Sequence, residues 1–169
     1  SLGLLYDHRN DMAKIAKLMA LKSRAFKGLV DLEKSSLSER TRKLFTLSAI
    51  YTGCQSLLDQ TEVEDFEKAS ALCLEFWDEI SLHFKDWQDV RNGQVTSGEV
   101  RRDKIHSHAI AIQCIGIIGS ELILDKPRAW KEPLKKLSSI DWSRDNASIW
   151  EGRALVGGRV SKTTANVIL

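Results

Sequence analysis

TEVEDFEKASALCLEFWDEISLHFKDW, residues Thr61 to Trp87, is the stretch that decides the fold. Phe66, Ala69, Cys73, Phe76, Trp77, Ile80, Phe84 and Trp87 recur at steps of three and four, the spacing that lines one face of an α-helix, while the acids fall between them. A stripe this wide is the buried face of a helix packed into a core. The helix is expected to open at the capping box Thr61-Glu62-Val63-Glu64, where a threonine hydroxyl satisfies the N3 amide and the N3 glutamate reaches back. Asn92-Gly93 is its expected stop.

The same start signal recurs on either side, at Ser36-Leu37-Ser38-Glu39 and Thr96-Ser97-Gly98-Glu99. The first of these predicts a helix that buries Leu44, Leu47, Ala49, Ile50 and Cys54. Arg40, Arg42 and Lys43 lie near its start, where positive charge opposes the macrodipole. The second predicts a helix that is apolar nearly all round from Ala109 to Ile118, as befits one surrounded by others. Gly116, Gly119 and Ser120 on one side of it predict close approach by a neighbouring backbone. A further helix is expected after an Asp7 N-cap, with Met12, Ile15, Ala16 and Met19 on one stripe.

Past Asp125 the pattern shortens. Pro127 and Pro133 each suit a first turn, predicting short helices from about Arg128 and from Pro133 to Ser138. Residues 141–159 read as a loop with a short strand at Ala154–Val156, and Ser161 could cap a last helix over Lys162–Leu169. Phe26–Ser35 is the other strand candidate, expected to pair with chain outside this sequence or with the C-terminal loop. The predicted fold is mainly α, one domain: a bundle of four long helices over 1–125, then short helices and a basic, glycine-containing loop over 126–169, with at most a minor strand pair. Without a methionine before Ser1-Leu2-Gly3, and with the uncapped apolar run Ala165–Leu169 at its end, the chain reads as a fragment of a larger protein.

With 43% hydrophobic and 28% charged residues and no low-complexity tract, the chain has enough apolar surface to fold, which excludes a disordered tail. Cys54, Cys73 and Cys114 lie far apart inside apolar helical patterns, the usage of a reduced cytoplasm. Ala109–Ile118 is too short to cross a bilayer and no signal peptide opens the chain, so no membrane partner is expected. The net charge of +2 is unevenly spread. Residues 1–58 carry ten Lys/Arg against five Asp/Glu, residues 59–89 two against ten, residues 90–125 four of each and residues 126–169 nine against four. Basic ends flanking an acidic middle fit an anionic partner at the ends, and equally fit pairing within the chain.

On one helix His106 and His108 would point about 200° apart and could not share an ion, so no metal is expected. Neither a Walker-type nor a dinucleotide-binding glycine motif is present, and no cofactor is expected. Three clusters remain. Tyr6-Asp7-His8-Arg9 is either a capping cluster or the edge of a site. In Trp150–Thr164, glycines, a helix start and Arg153, Arg159 and Lys162 could together hold phosphate. The alternative is a tight loop whose arginines pair with acids of the third helix. Trp130, Trp142 and Trp150 invite a base-stacking reading, but covering the open end of the core serves as well, and Trp77 and Trp87 belong to the core stripe.

Leu4-Leu5-Tyr6-Asp7-His8-Arg9-Asn10, Lys43-Leu44-Phe45-Thr46-Leu47-Ser48-Ala49-Ile50-Tyr51, and Trp150-Glu151-Gly152-Arg153 with Gly158-Arg159-Val160-Ser161-Lys162 together resemble the C-terminal region of DndB-type DNA sulfur modification proteins of the DGQHR superfamily. The DGQHR signature itself, and the ParB-like domain that bears it, do not occur here, so no activity tied to it carries over. The resemblance implies an accessory or regulatory module of DNA phosphorothioation. It would regulate transcription of the modification genes and touch DNA phosphate through Arg153, Arg159, Lys162, Arg40, Arg42 and Lys43. The alternatives are a scaffold docking its own missing N-terminal domain or other sulfur-modification proteins, and an enzyme site in which Asp7, His8 and Arg9 line a shared pocket. No catalytic residue is assigned.

Overall fold

In the computed structural model, described over residues 2–146 and for the backbone of 155–156 and 159–160, the Thr61–Trp87 stripe forms two helices. Helix α3, Phe66–Ser81, buries Ala69, Cys73, Phe76, Trp77 and Ile80. Phe84 then adopts an extended backbone, φ −117° and ψ 92°, which turns the chain into α4, Lys85–Arg91. Gly93, at φ +74°, follows α4 in the left-handed conformation expected of Asn92-Gly93.

Of the three capping boxes only Thr96–Glu99 forms. Thr96 Oγ1 accepts from Glu99 N, and the Glu99 carboxylate accepts from Thr96 N at 2.9 Å, opening α5, Ser97–Asp103. The Thr61 box fails because the Thr61 hydroxyl donates to Leu58 O at 2.9 Å, closing the preceding helix. Asp65 caps α3 in its place. The Ser36 box fails because the Leu37, Ser38 and Lys43 carbonyls all accept from the Arg101 guanidinium. Helix α2 therefore runs from Leu47 to Leu58 with Thr46 as its N-cap. Arg40, Arg42 and Lys43 sit in the loop before it and not on a helix.

Helix α1, Leu2–Lys22, begins upstream of Asp7, so Tyr6, Asp7, His8 and Arg9 lie within it and Asp7 is not its cap. Met12, Ile15, Ala16 and Met19 form its buried stripe as expected. Strand β1, Val30–Asp31, pairs in parallel with β2, Phe45–Thr46, in register Val30↔Phe45. The partner of the Phe26–Ser35 candidate is thus within the chain, and residues 32–44 supply the long crossover that parallel pairing demands. Asp78 of α3 accepts from the Ser23 hydroxyl at 2.8 Å and from Arg24 N at 2.7 Å, fixing the exit of α1 against α3.

The apolar helix α6, Ala109–Asp125, is separate from α5 and crosses α2 closely. A Cβ on Gly116 would strike the Gly53 carbonyl and one on Gly119 the Phe76 ring, so the small side of α6 admits its neighbours as predicted. Beyond it, a turn at 127–131 takes the place of the helix expected from Arg128, and a 3-10 helix spans Glu132–Ser139 with Pro133 in its first turn. Trp130, Leu134 and Leu137 close the core, and Lys131 pairs with Glu75 of the acidic α3 at 2.8 Å. Strands β3, Leu155–Val156, and β4, Arg159–Val160, pair antiparallel, in keeping with the strand expected at Ala154–Val156. The helix expected over Lys162–Leu169 lies outside the described residues. No helix among those described is long and apolar enough to cross a membrane.

Candidate functional site

Arg101, on α5, organises a concave region of the surface. Its guanidinium donates to the Lys43, Leu37 and Ser38 carbonyls at 3.2, 3.1 and 2.9 Å. One turn earlier the Ser97 hydroxyl donates to Arg42 O at 2.7 Å. Gly98 lies so close to the Glu39 carbonyl that no Cβ would fit between them. Residues 37–43 are clipped to α5 through their main chain. On the other side of α5, the Arg101 carbonyl accepts from Arg144 at 3.1 Å and lies 2.8 Å from His108 Nε2. Arg144 N in turn donates to Asp103 O at 2.9 Å.

Between the loop, α5 and the start of α6 lies a cleft of about 340 Å³. Arg101, Arg102 and Arg144 line it, with Glu39 as the carboxylate among its walls. Arg102 is paired outward with Asp103 at 2.9 Å, whereas Arg101 and Arg144 have no ion-pair partner among the described residues. Ser107 is buried on the cleft wall, and its hydroxyl, like Arg144 Nε, finds no hydrogen-bond partner among the described residues. His108 is the N-cap residue of α6 yet offers that helix no side-chain hydrogen bond. Burial, aided by the neighbouring Arg144 and Arg101 cations, pushes the His108 pKa down to about 4 despite the hydrogen bond to the Arg101 carbonyl. The ring is neutral at pH 7, and Nε2 carries the proton donated to that carbonyl.

His106 is held separately, 1% exposed, among Phe84, Trp87 and Trp142. The indole of Trp87 can only donate, so His106 Nδ1, 3.1 Å away, accepts. Nε2 then carries the proton and donates to Asp86 at 2.9 Å. Burial lowers the His106 pKa against the pull of Asp86, and the hydrogen bond from His106 lowers that of Asp86. This is a structural relay. His106 and His108 occupy the turn between α5 and α6, each with its own partners, and not one helix.

Of the sequence candidates, Arg40 and Arg42 are exposed on the clipped loop, with no side-chain partner among the described residues. Lys43 is half-buried and donates to Gly28 O at 3.1 Å. Arg159 is described by its backbone alone, in β4, while Arg153, Lys162 and Trp150 lie outside the described residues. Tyr6, Asp7, His8 and Arg9 are described only as helical backbone. In the sequence His108 stands out only as a candidate metal ligand, and Arg101, Ser107 and Arg144 do not stand out. The available signal was His106-Ser107-His108 standing directly before an apolar helix that has no capping box of its own.

The family model for DndB, described as DNA-sulfur modification-associated, matches residues 1–169, the whole chain. The chain belongs to the DndB family. No curated protein and no solved structure matches it. Membership in the DndB family places the chain in the DNA sulfur modification system.

Proposed function

We propose that this DndB-family chain is a non-enzymatic accessory module that touches the phosphate backbone of duplex DNA in regulating the sulfur-modification genes. The observation that carries this reading is the exposed pair Arg40 and Arg42. Both are free of carboxylate partners among the described residues and ride on a loop whose backbone is pinned to α5. Cations presented on a fixed trace bind phosphate without first losing backbone freedom. Lys43, Arg153, Arg159 and Lys162 are the further cations assigned to the same contact from the sequence. Duplex affinity measured against salt tests it. Each phosphate contact contributes about 0.9 to the slope of log K on log salt, so Arg40→Ala with Arg42→Ala is expected to lower the slope by nearly 2. An unchanged slope, or binding that does not weaken as salt rises, overturns the reading.

A second reading, a scaffold docking another domain or sulfur-modification protein, is favoured by Ile118 and Leu124. These remain 42% and 51% exposed on the apolar α6, whose Ile110, Ile112 and Ile115 are buried.

A further inference from the structure

The cleft beside the loop has a composition that the duplex contact does not use. Ser107, His108 and Ala109 bring the start of α6 to its wall, a 17-residue helix whose first-turn amides lie at the positive end of the dipole. His108, the residue placed to cap them, spends its Nε2 proton on the Arg101 carbonyl. Beside that turn, Ser107 is 3% exposed and its hydroxyl is unpartnered among the described residues, as is Arg144 Nε. A buried hydroxyl and a buried guanidinium N–H are costly to leave unsatisfied, so their coincidence at one uncapped helix start points to a missing acceptor. The charge of the surrounding walls selects an anion for that place. Arg101, Arg102 and Arg144 line the cleft against one carboxylate, Glu39; Arg102 pairs outward with Asp103, and Arg101 and Arg144 have no ion-pair partner among the described residues.

We propose that the cleft is a binding site for a tetrahedral oxyanion of the phosphate or sulfate class, held at the N-terminus of α6 by the Ser107 hydroxyl and the Arg144 guanidinium, with Arg101 behind them. The site goes beyond the duplex contact and does not depend on it, because Arg40 and Arg42 are not among the residues lining the cleft. A phosphate group supplies the several acceptor lone pairs that a single water would not, and the helix start supplies the matching donors.

The test is an NMR titration of the whole chain, in phosphate-free buffer at pH 7, with inorganic phosphate. The amide signals of Ser107, Ala109, Ile110 and Ala111 are expected to shift saturably. Arg144→Gln is expected to weaken binding about tenfold or more, the loss of one charge-assisted hydrogen bond, and Ser107→Ala about threefold. Because the Ser107 hydroxyl has no partner among the described residues, Ser107→Ala leaves the melting temperature of the phosphate-free protein unchanged or raised, so weaker binding in this variant is not a folding defect. Arg40→Ala with Arg42→Ala leaves phosphate affinity unchanged, which separates failure of this site from failure of the duplex contact. Competition by a dinucleotide with and without a 5′-phosphate assigns the source. Tighter competition by the phosphorylated form marks a nucleic-acid end, and equal weak competition by both marks free oxyanion. Shifts that never saturate, or an affinity indifferent to both Ser107→Ala and Arg144→Gln, overturn the proposal.

Discussion

Replacing His106 by leucine keeps a side chain of similar bulk in the core and removes both polar bonds, so the effect can be worked from the geometry. Trp87 is 1% exposed, and without His106 Nδ1 its indole N–H is left buried and unpaired, a loss of about 1–3 kcal/mol. Asp86 is different. Its side chain is 39% exposed, so water replaces the lost donor and the loss there is under about 1 kcal/mol. The ring contacts with Phe84, Trp87 and Trp142, at centroid distances of 4.9, 5.9 and 6.0 Å, contribute about 0.5–1.5 kcal/mol per pair, and the leucine recovers most of the associated burial. The expected destabilisation is about 2–4 kcal/mol, a large share of a typical domain's stability. Urea unfolding followed by tryptophan fluorescence and far-ultraviolet circular dichroism reads it as a lower midpoint at constant slope. His106→Asn is the rescue, because its amide oxygen falls near the position of Nδ1 and accepts from Trp87, restoring about 1 kcal/mol relative to leucine. If His106→Leu lies within about 0.5 kcal/mol of the parent, or asparagine is no better than leucine, the buried indole bond does not hold this corner together.

Acid sensitivity follows from His108. Its folded pKa, about 4, lies below the unfolded value of 6.5, so between these two the unfolded chain binds a proton that the folded chain refuses. Stability is complete above pH 6.5 and falls by about 3 kcal/mol as pH drops toward 4. His108→Gln should flatten that limb in urea melts taken across the range, and an unchanged limb refutes the assignment. Helix starts give a paired prediction: Thr96→Ala should cost about 1 kcal/mol, whereas Ser36→Ala, which caps no helix, should stay within about 0.5 kcal/mol by thermal melting.

The three serine and threonine boxes explain how far the fold is legible in the sequence. The Thr96 box formed because its groups have no competing partner. The Ser36 and Thr61 boxes are equally good locally, but the carbonyls of Leu37 and Ser38 go to Arg101, some 60 residues away, and the Thr61 hydroxyl goes to the helix before it. Propensity is silent about partners of that kind. The buried stripes of α1, α3 and α6 and the glycine side of α6 were legible because burial follows periodicity directly. The breaks at Phe84 and at residues 104–108 were not, since the apolar spacing runs through both and only the extended Phe84 backbone and the turn contacts of His106 and His108 interrupt it. The cleft is illegible in the sequence for the same reason. Its groups come from residues 35–46, 98–109 and 144, each ordinary alone.

The clip on the 37–43 loop has a consequence for how such a chain can vary. Arg101, Ser97 and Gly98 all engage it through carbonyl groups, which every amino acid carries. Its path is therefore indifferent to the side chains at Ser38, Glu39, Arg40 and Arg42, whereas at Thr41 the hydroxyl accepts from Lys43 N at 3.2 Å and helps to hold the turn. Shape and contact are decoupled at this edge, so substitutions there can exchange what the loop presents to a partner, in charge or in hydrogen-bonding character, while the trace that presents it stays where α5 holds it.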